Sequence, residues 1–269
     1  MSEPVRHRGP DFGPREADVV LLHGQPGSAS DWDAVARALP PHLHPWAWER
    51  PGYGTSPHPP SGFVCNARWL LAELDDAGID KAILVGHSYG GGVVLSAAAL
   101  APERVRGLVL VASVGPGCLN GWDALLAAPI IGRVCALAAW WLTPWFARTR
   151  LARIERTRSR PLALDEYVNW EIWGSAHHDH GAMWRTFLIE QRALVNGLDE
   201  LDACLDRIST PTVVLADAAD KMIPIVTAHE LHRRLAFSRL ILTEGGHHLP
   251  RQSPAVIAAQ INSLVGAVP

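Results

Sequence analysis

The segment from Ala82 to Leu100 constrains the fold more than any other part of the sequence. An apolar, β-branched run leads into the pentapeptide GHSYG at positions 86–90, and an alanine-rich stretch follows it. This order predicts a buried strand, a very tight turn and then a helix. Glycine at 86 and 90 removes the Cβ atoms that would collide in such a turn. The Ser88 hydroxyl is therefore predicted to project from the sheet at a helix N-terminus, as a candidate nucleophile.

Short apolar strand patterns alternate with helical patterns on both sides of this turn. Alternating elements of this length indicate an α/β protein with a mostly parallel, doubly wound sheet and helices on both of its faces. The predicted strands cover residues 18–22, 44–48, the run before Ser88, 105–112, 211–216 and 238–243, and the predicted helices cover 31–39, 64–77, the stretch after Ser88, 226–235 and 254–265.

The alternation stops between Val114 and about Arg207. This stretch has no convincing strand pattern, a mostly helical pattern and seven of the eleven tryptophans. The sequence therefore predicts a core formed by residues 1–113 and 208–269, interrupted by a helical insertion at 114–207.

Composition narrows the classes of function. A chain of 269 residues with a net charge of −3 fits one large globular domain and gives no reason to expect a nucleic-acid partner. The four cysteines are widely spaced without a C-x-x-C pair, which indicates buried free thiols in a reducing compartment. The N-terminus carries no apolar signal segment, so we expect a cytoplasmic protein.

A serine nucleophile needs a base beside it and a third group that orients the base. Functional groups gather at the carboxyl ends of parallel strands, so the candidates follow the last two predicted strands. Asp217 and Asp220 come after the strand at 211–216, and His247 and His248 come after the strand at 238–243.

This arrangement resembles the α/β-hydrolase superfamily over nearly the whole core. The similar segments are the nucleophile motif at 86–91 (GHSYGG), an oxyanion loop at 23–27 (HGQPG), a loop at 50–56 (RPGYGTS), an acid loop with Asp220 and Pro224, and a histidine loop with Gly246, His247 and Pro254. The insertion lies where members of this family carry a helical cap. Little sequence precedes the strand at 18–22, so the leading strands of the family are expected to be shortened.

The resemblance implies a role for five residues. Ser88 would be the nucleophile, His247 the base, and Asp220 the group that holds the imidazole in the correct tautomer. The backbone N–H groups of Gln25 and Tyr89 would bind the oxyanion. The Gln25 side chain could alternatively point into the pocket.

Other residues near these positions have alternative interpretations. Asp217 is a turn former that competes with Asp220, and His248 competes with His247. His87 is expected to be a packed or hydrogen-bonded core histidine, and His23 is expected to brace the oxyanion loop. Some members of the family take the acid from the position that holds Ser113 here, which favours the later acid.

Two segments of the insertion suggest further possibilities. The sequence HHDH at 177–180 invites a metal site, but a solvated loop is favoured because no further ligand at zinc spacing lies nearby. The apolar run 124–147 is interrupted by Pro129, Arg133 and Pro144, and arginines follow it at 148, 150, 153, 156, 158 and 160. We expect this run to roof the pocket, with contact to an anionic membrane surface as the alternative.

The sequence thus predicts a cofactor-free, metal-free serine hydrolase that cleaves a hydrophobic, small-to-medium ester through an acyl-enzyme. A serine nucleophile argues against the dehalogenase and epoxide-hydrolase branches, which use aspartate. Carbon–carbon bond, lactone or amide hydrolysis and cofactor-free perhydrolysis use the same triad and remain alternatives. A non-catalytic ligand-binding or sensor protein on this scaffold is the alternative from another class.

Overall fold

A seven-stranded sheet forms the centre of the molecule. The computed structural model describes residues 7–8, 16–135 and 183–266, together with positions 137, 138, 142, 145 and 149. The strands are β1 His7–Arg8, β2 Ala17–Leu22, β3 Leu43–Trp48, β4 Ala82–His87, β5 Val105–Val111, β6 Thr212–Ala216 and β7 Ser238–Leu242. Their order is β1-β3-β2-β4-β5-β6-β7, and every pair is parallel except β1 with β3.

The bounds of eight α-helices can be given, and residues 131–135 are also helical. The eight helices are α1 Asp33–Ala38, α2 Phe63–Asp76, α3 Tyr89–Leu100, α4 Gly121–Ala127, α5 Met183–Cys204, α6 Ile225–Arg234, α7 Leu249–Gln252 and α8 Pro254–Ser263. The predicted α/β class with a mostly parallel sheet is confirmed. The predicted helix at 31–39 begins as a 3-10 turn at Ala29–Trp32 and becomes α-helical only over α1.

Helices cover both faces of the sheet because alternate residues of its strands point to opposite sides. Val20 of β2 and Leu84 of β4 belong to a cluster that α2, α3, α5 and α6 complete. Leu21 and Val85, one position later on the same strands, belong to a second cluster with α1 and α8. All six residues of β4 are buried, as expected for a central strand of a doubly wound sheet.

The edge strand β1 covers two described residues and runs antiparallel to β3. Residues 1–6 and 9–15 lie outside the described part of the chain, so the shortening of the leading strands stays a prediction. The site described below lies at the carboxyl ends of β2, β4, β6 and β7.

The predicted insertion at 114–207 contributes α4 and α5 to the described part of the chain. Among the described residues from 119 to 149, seven large apolar side chains are solvent-exposed: Leu119, Trp122, Ile130, Ile131, Val134, Leu142 and Trp145. Among the described helices, none combines the length and apolar character needed to cross a bilayer. The arginines that follow the run at 124–147 lie outside the described residues, and contact with a membrane surface remains a prediction.

The cysteine prediction needs one correction. All four cysteines are free thiols, and Cys118 and Cys204 are buried, but Cys135 is only partly buried and Cys65 is exposed. The reason is helical periodicity, since α2 buries the stripe Phe63, Asn66, Ala67, Leu70 and Leu74. Cys65 lies about 160° around the helix from the centre of that stripe and therefore faces solvent.

Candidate active site

Ser88 occupies a strained turn between β4 and α3. Its φ of 51° and ψ of −118° put a non-glycine residue in a backbone region that L-residues rarely adopt. A Cβ on Gly86 would lie 2.4 Å from the Gly90 carbonyl oxygen, and a Cβ on Gly90 would lie 2.5 Å from that of Leu22. Both glycines are therefore required for the turn, as the sequence predicted.

Three backbone hydrogen bonds hold Ser88 in this conformation. Its N–H donates to the Val111 carbonyl at 3.0 Å, and its carbonyl accepts from Gly91 at 2.9 Å and from Val114 at 3.1 Å. These contacts join the turn to the end of β5 and to the segment that follows it. The strained turn is thus fixed by its neighbours, and Ser88 lines a cavity beyond the carboxyl end of the sheet.

His247 and Asp220 form a buried pair at the border of the same cavity. His247 Nδ1 lies 2.9 Å from Asp220 Oδ2, and both side chains are less than 5% exposed. The other carboxylate oxygen accepts backbone N–H bonds from Met222 at 2.7 Å and Ile223 at 3.0 Å. Because the carboxylate accepts at Nδ1, the neutral imidazole carries its proton there and keeps a basic lone pair on Nε2.

Asp217 does not contact the imidazole and instead ties two loops together. Its carboxylate accepts backbone N–H bonds from Ala219 at 2.8 Å, Gly245 at 2.8 Å and Gly246 at 2.7 Å. Burial alone would raise the pKa of Asp217, but these three donors together hold it below its ordinary value. Asp217 therefore joins the loop that carries Asp220 to the loop that carries His247.

The other histidines near the site support the backbone. His87 is buried, and its Nε2 donates to the His247 carbonyl at 2.8 Å, which confirms a hydrogen-bonded core histidine. Burial lowers the pKa of His87 well below its ordinary value, and His247 lowers it further. Burial also lowers the pKa of His248 to about 4, and His248 is not among the residues that line the cavity. The neutral His87 ring thus holds the His247 backbone.

His23 braces the predicted oxyanion loop, as expected. The Arg50 backbone N–H donates to His23 Nε2 at 3.1 Å, so the ring proton lies on Nδ1, which donates to the Gly24 carbonyl at 2.9 Å. Gly24 packs against the turn, since a Cβ there would lie 3.0 Å from the Ser88 Cβ. The loop with Gln25 thus lies directly beside Ser88.

Gln25 and Tyr89, the predicted oxyanion-binding residues, both line the cavity. Among the described residues, no partner accepts a hydrogen bond from the backbone N–H of either one. The Gln25 side chain reaches α5, where its Nε2 donates to the Phe187 carbonyl and to Gln191 Oε1, both at 3.2 Å. Gln191 Nε2 in turn donates to Asp123 Oδ1 at 2.8 Å.

The cavity has a volume of about 280 Å³, at the lower end of the range for ligand pockets. Asp123 and Leu126 of α4 and Phe187, Gln191 and Leu194 of α5 form part of its wall, so residues of the predicted insertion do line it. Among the described lining residues, the titratable side chains are Asp123, His247, Tyr89 and Cys118, and there is neither an arginine nor a lysine. The lining residues are Gln25, Ser88, Tyr89, Val114, Cys118, Asp123, Leu126, Phe187, Gln191, Leu194, Met222, Ile223 and His247.

Sequence reasoning missed a buried ionic cluster beneath this cavity. Arg50 and Glu190 are completely buried and form a two-pronged ion pair, and the Tyr53 hydroxyl donates to Glu190 Oε2 at 2.6 Å. Burial alone would lower the pKa of Arg50, but the Glu190 charge raises it above its ordinary value. The sequence does contain one signal for Glu190, because it lies on the stripe of α5 that also buries Leu194 and Leu201.

The candidate metal motif at 177–180 lies outside the described residues. Within the part of the chain that the structure describes, no group of three or more histidine, cysteine, aspartate or glutamate residues is arranged to hold a metal ion.

Comparison with known proteins identifies the family. A profile of the Alpha/beta hydrolase family matches residues 19–260. Lipase LipV of Mycobacterium tuberculosis is 30% identical over 97% of both chains, and a 2-hydroxymuconate semialdehyde hydrolase of Pseudomonas sp. strain CF600 is 29% identical over 92% of this chain and 85% of its own. A solved thermophilic esterase from Thermogutta terrifontis superposes with a TM-score of 0.70 at 20% identity, over 93% of this chain and 89% of its own. The profile match spans most of the sequence, and this chain therefore belongs to the alpha/beta hydrolase family.

Proposed function

We propose that this protein is a serine hydrolase that cleaves small, uncharged, hydrophobic esters through an acyl-enzyme at Ser88. The observation that carries the proposal is the buried His247–Asp220 pair at 2.9 Å. It borders the cavity that is also lined by Ser88, whose backbone is strained. Such a constellation is the one that activates a serine hydroxyl at neutral pH.

The chemistry follows from the position of each group. Ser88 Oγ attacks the ester carbonyl carbon while its proton passes to His247 Nε2, and Asp220 stabilises the imidazolium that forms. The backbone N–H groups of Gln25 and Tyr89 stabilise the negative oxygen of the tetrahedral intermediate. The intermediate collapses when His247 gives the proton to the leaving alcohol. A water molecule then repeats the sequence on the acyl-enzyme, releasing the acid and restoring the Ser88 hydroxyl.

The cavity wall supports an uncharged substrate. Its described lining is mainly apolar, it carries the Asp123 carboxylate, and it offers no arginine or lysine to pair with an anionic group. Bringing a substrate carboxylate into this space would leave that charge unpaired beside another of the same sign, which is strongly unfavourable. The names of the relatives do not decide the bond type, since they include a lipase, an esterase and a hydrolase of a semialdehyde.

Active-site labelling and a matched pair of substrates test this proposal. A fluorophosphonate probe is expected to label the wild-type protein and to leave Ser88→Ala unlabelled, because only the activated serine reacts. Wild-type protein is expected to hydrolyse p-nitrophenyl butyrate, and to hydrolyse the p-nitrophenyl monoester of succinic acid, which has a similar chain length and a negative charge, at least about tenfold less efficiently.

The outcomes separate the competing functions. Absence of labelling in wild type contradicts the serine hydrolase and favours the ligand-binding protein on this scaffold. Labelling together with a preference for the charged ester contradicts the uncharged substrate. Labelling without hydrolysis of either ester, but with cleavage of a lactone, an amide or a β-diketone, replaces the ester by that bond type.

A further inference from the structure

The buried cluster of Arg50, Tyr53 and Glu190 reaches both residues that are proposed to bind the oxyanion. Arg50 Nε donates to the His23 carbonyl at 2.8 Å, and Arg50 Nη2 donates to the Gly24 carbonyl at 2.8 Å. The Arg50 guanidinium also lies 4.8 Å from the centre of the Tyr89 ring and 4.8 Å from that of Tyr53. One buried cation therefore contacts the loop before Gln25 and the side chain of Tyr89.

The contact with the Gly24 carbonyl has a direct consequence for Gln25. The Gly24 C=O and the Gln25 N–H belong to the same peptide unit, which is planar and trans, so the two groups point in opposite directions. A carbonyl that accepts from both Arg50 Nη2 and His23 Nδ1 cannot rotate, and its N–H is fixed with it. A charged donor on the carbonyl also polarises the unit and strengthens the N–H as a donor.

The helix α5 supplies the charge that makes a buried Arg50 tolerable. Glu190 pairs with its guanidinium, and without that carboxylate the cation would be buried and uncompensated. The next residue of α5, Gln191, accepts from the Gln25 side chain, and the Phe187 carbonyl does the same. The helix thus contacts the oxyanion loop in two ways. Glu190 holds Arg50, which donates to the backbone of the loop, and Phe187 and Gln191 accept directly from the Gln25 side chain.

We infer that Arg50 and Glu190 are positioning residues of the oxyanion hole, and that α5 fixes the orientation of its backbone donors. This inference rests on the proposed serine hydrolase function. Neither residue lines the cavity, so neither touches the substrate. The expected consequence is a loss of transition-state stabilisation with little change in substrate binding.

A triple variant separates positioning from folding. Arg50→Met, Tyr53→Phe and Glu190→Leu together replace the buried ionic cluster by apolar side chains of similar size, a change that proteins often accept without loss of stability. The triple variant is expected to unfold cooperatively like wild type, to keep the KM for p-nitrophenyl butyrate within about twofold, and to lose about 10²-fold in kcat. Arg234→Met is the control, because Arg234 pairs with the far end of α5 and lies away from the cavity.

A second variant and a second probe cover the case in which the triple variant does not fold. Glu190→Gln keeps the size of the side chain and an acceptor for Tyr53 while it removes the charge. It is expected to lower kcat without a matching rise in KM. Phenylboronic acid, whose boron becomes tetrahedral and negatively charged when Ser88 Oγ adds to it, is expected to bind this variant more weakly by a factor similar to the loss in kcat.

The inference is overturned by a folded triple variant, or by Glu190→Gln, with wild-type kcat and wild-type affinity for phenylboronic acid. It is also overturned if Arg234→Met lowers kcat as much, since any attachment of α5 would then have the same effect. Failure of the proposed function is recognised separately, because wild type itself would then show neither fluorophosphonate labelling nor ester hydrolysis.

Discussion

Two arginine–carboxylate clusters attach α5 to the rest of the molecule, and they differ in burial. In the middle of the helix, Glu190 pairs with Arg50, and both side chains are 0% exposed. At the C-terminal end, Arg234 of α6 pairs at 2.8 Å with Asp202 of α5 and at 2.6 Å with Asp206 of the 3-10 turn that follows it, and these carboxylates are 42% and 65% exposed. The same pair of chemical groups therefore has two different roles: the buried cluster fixes the site, and the exposed one is a solvated surface contact.

The largest expected effect is that of removing one partner from the buried cluster. Glu190→Ala leaves the Arg50 guanidinium and the Tyr53 hydroxyl buried without their acceptor. We expect a loss of about 3–5 kcal/mol in the free energy of unfolding, measured by urea denaturation with the slope fixed to that of wild type. A midpoint indistinguishable from that of wild type would show that water or a rearranged carboxylate replaces Glu190.

Acid sharpens the comparison, because the groups expected to respond between pH 7 and pH 5 are histidines and not the ion pairs. Burial lowers the pKa of His248 to about 4 and that of His87 well below its ordinary value. In the unfolded chain these histidines bind protons near pH 6.5, and in the folded chain they do so only at lower pH. The part of the unfolding free energy that depends on their neutral form is therefore present above about pH 6.5 and is lost as the pH falls. His248 alone is expected to account for about 2 kcal/mol between pH 7 and pH 5.

The measurement is urea denaturation as a function of pH in three proteins. The free energy of unfolding is expected to fall equally steeply with pH in wild type and in Arg234→Ala between pH 7 and pH 5. It is expected to fall less steeply in His248→Gln. If the pH dependence of the unfolding free energy were unchanged in His248→Gln but reduced in Arg234→Ala, the acid sensitivity would belong to the exposed cluster, contrary to this comparison.

The features that the sequence predicted are those with a local signal. Ser88, Asp220 and His247 each follow a strand pattern directly, and parallel strands bring their carboxyl ends to one edge, so local signals were enough to place them near each other. The parallel direction of the strands follows from the same alternation of strand and helix, but their order in the sheet does not.

The buried cluster could not be predicted in this way. Arg50 and Glu190 are 140 residues apart, and neither follows a motif that specifies a partner. The contact depends on where the long connection returns α5 to the core, which is a tertiary property with no local signature. The hydrogen-bond partners of the Gln25 side chain could not be predicted for the same reason, since both are on α5. The exposure of Cys65, by contrast, follows from the register of α2 and was accessible to the sequence.

The smallest expected effect is that of Arg234→Ala, and it tests the comparison from the other end. The hydrogen bonds from its guanidinium lower the pKa of Asp206. Any stability from this pair is therefore present above the ordinary pKa of aspartate and is lost only as the pH falls below it.

The exposed pair is also expected to respond to salt. Water and salt screen charges this exposed, and the entropy lost in holding long side chains in place opposes the stabilisation by the ion pairs. We therefore expect a small decrease in the urea midpoint of Arg234→Ala at low ionic strength, which disappears at about 1 M NaCl, where the Debye length is about 3 Å. The effect of Glu190→Ala should persist at that salt concentration, because a buried pair is screened much less. A salt-resistant loss in Arg234→Ala as large as that in Glu190→Ala would mean that burial does not distinguish the two clusters, and that the attachment of α5 as a whole governs stability.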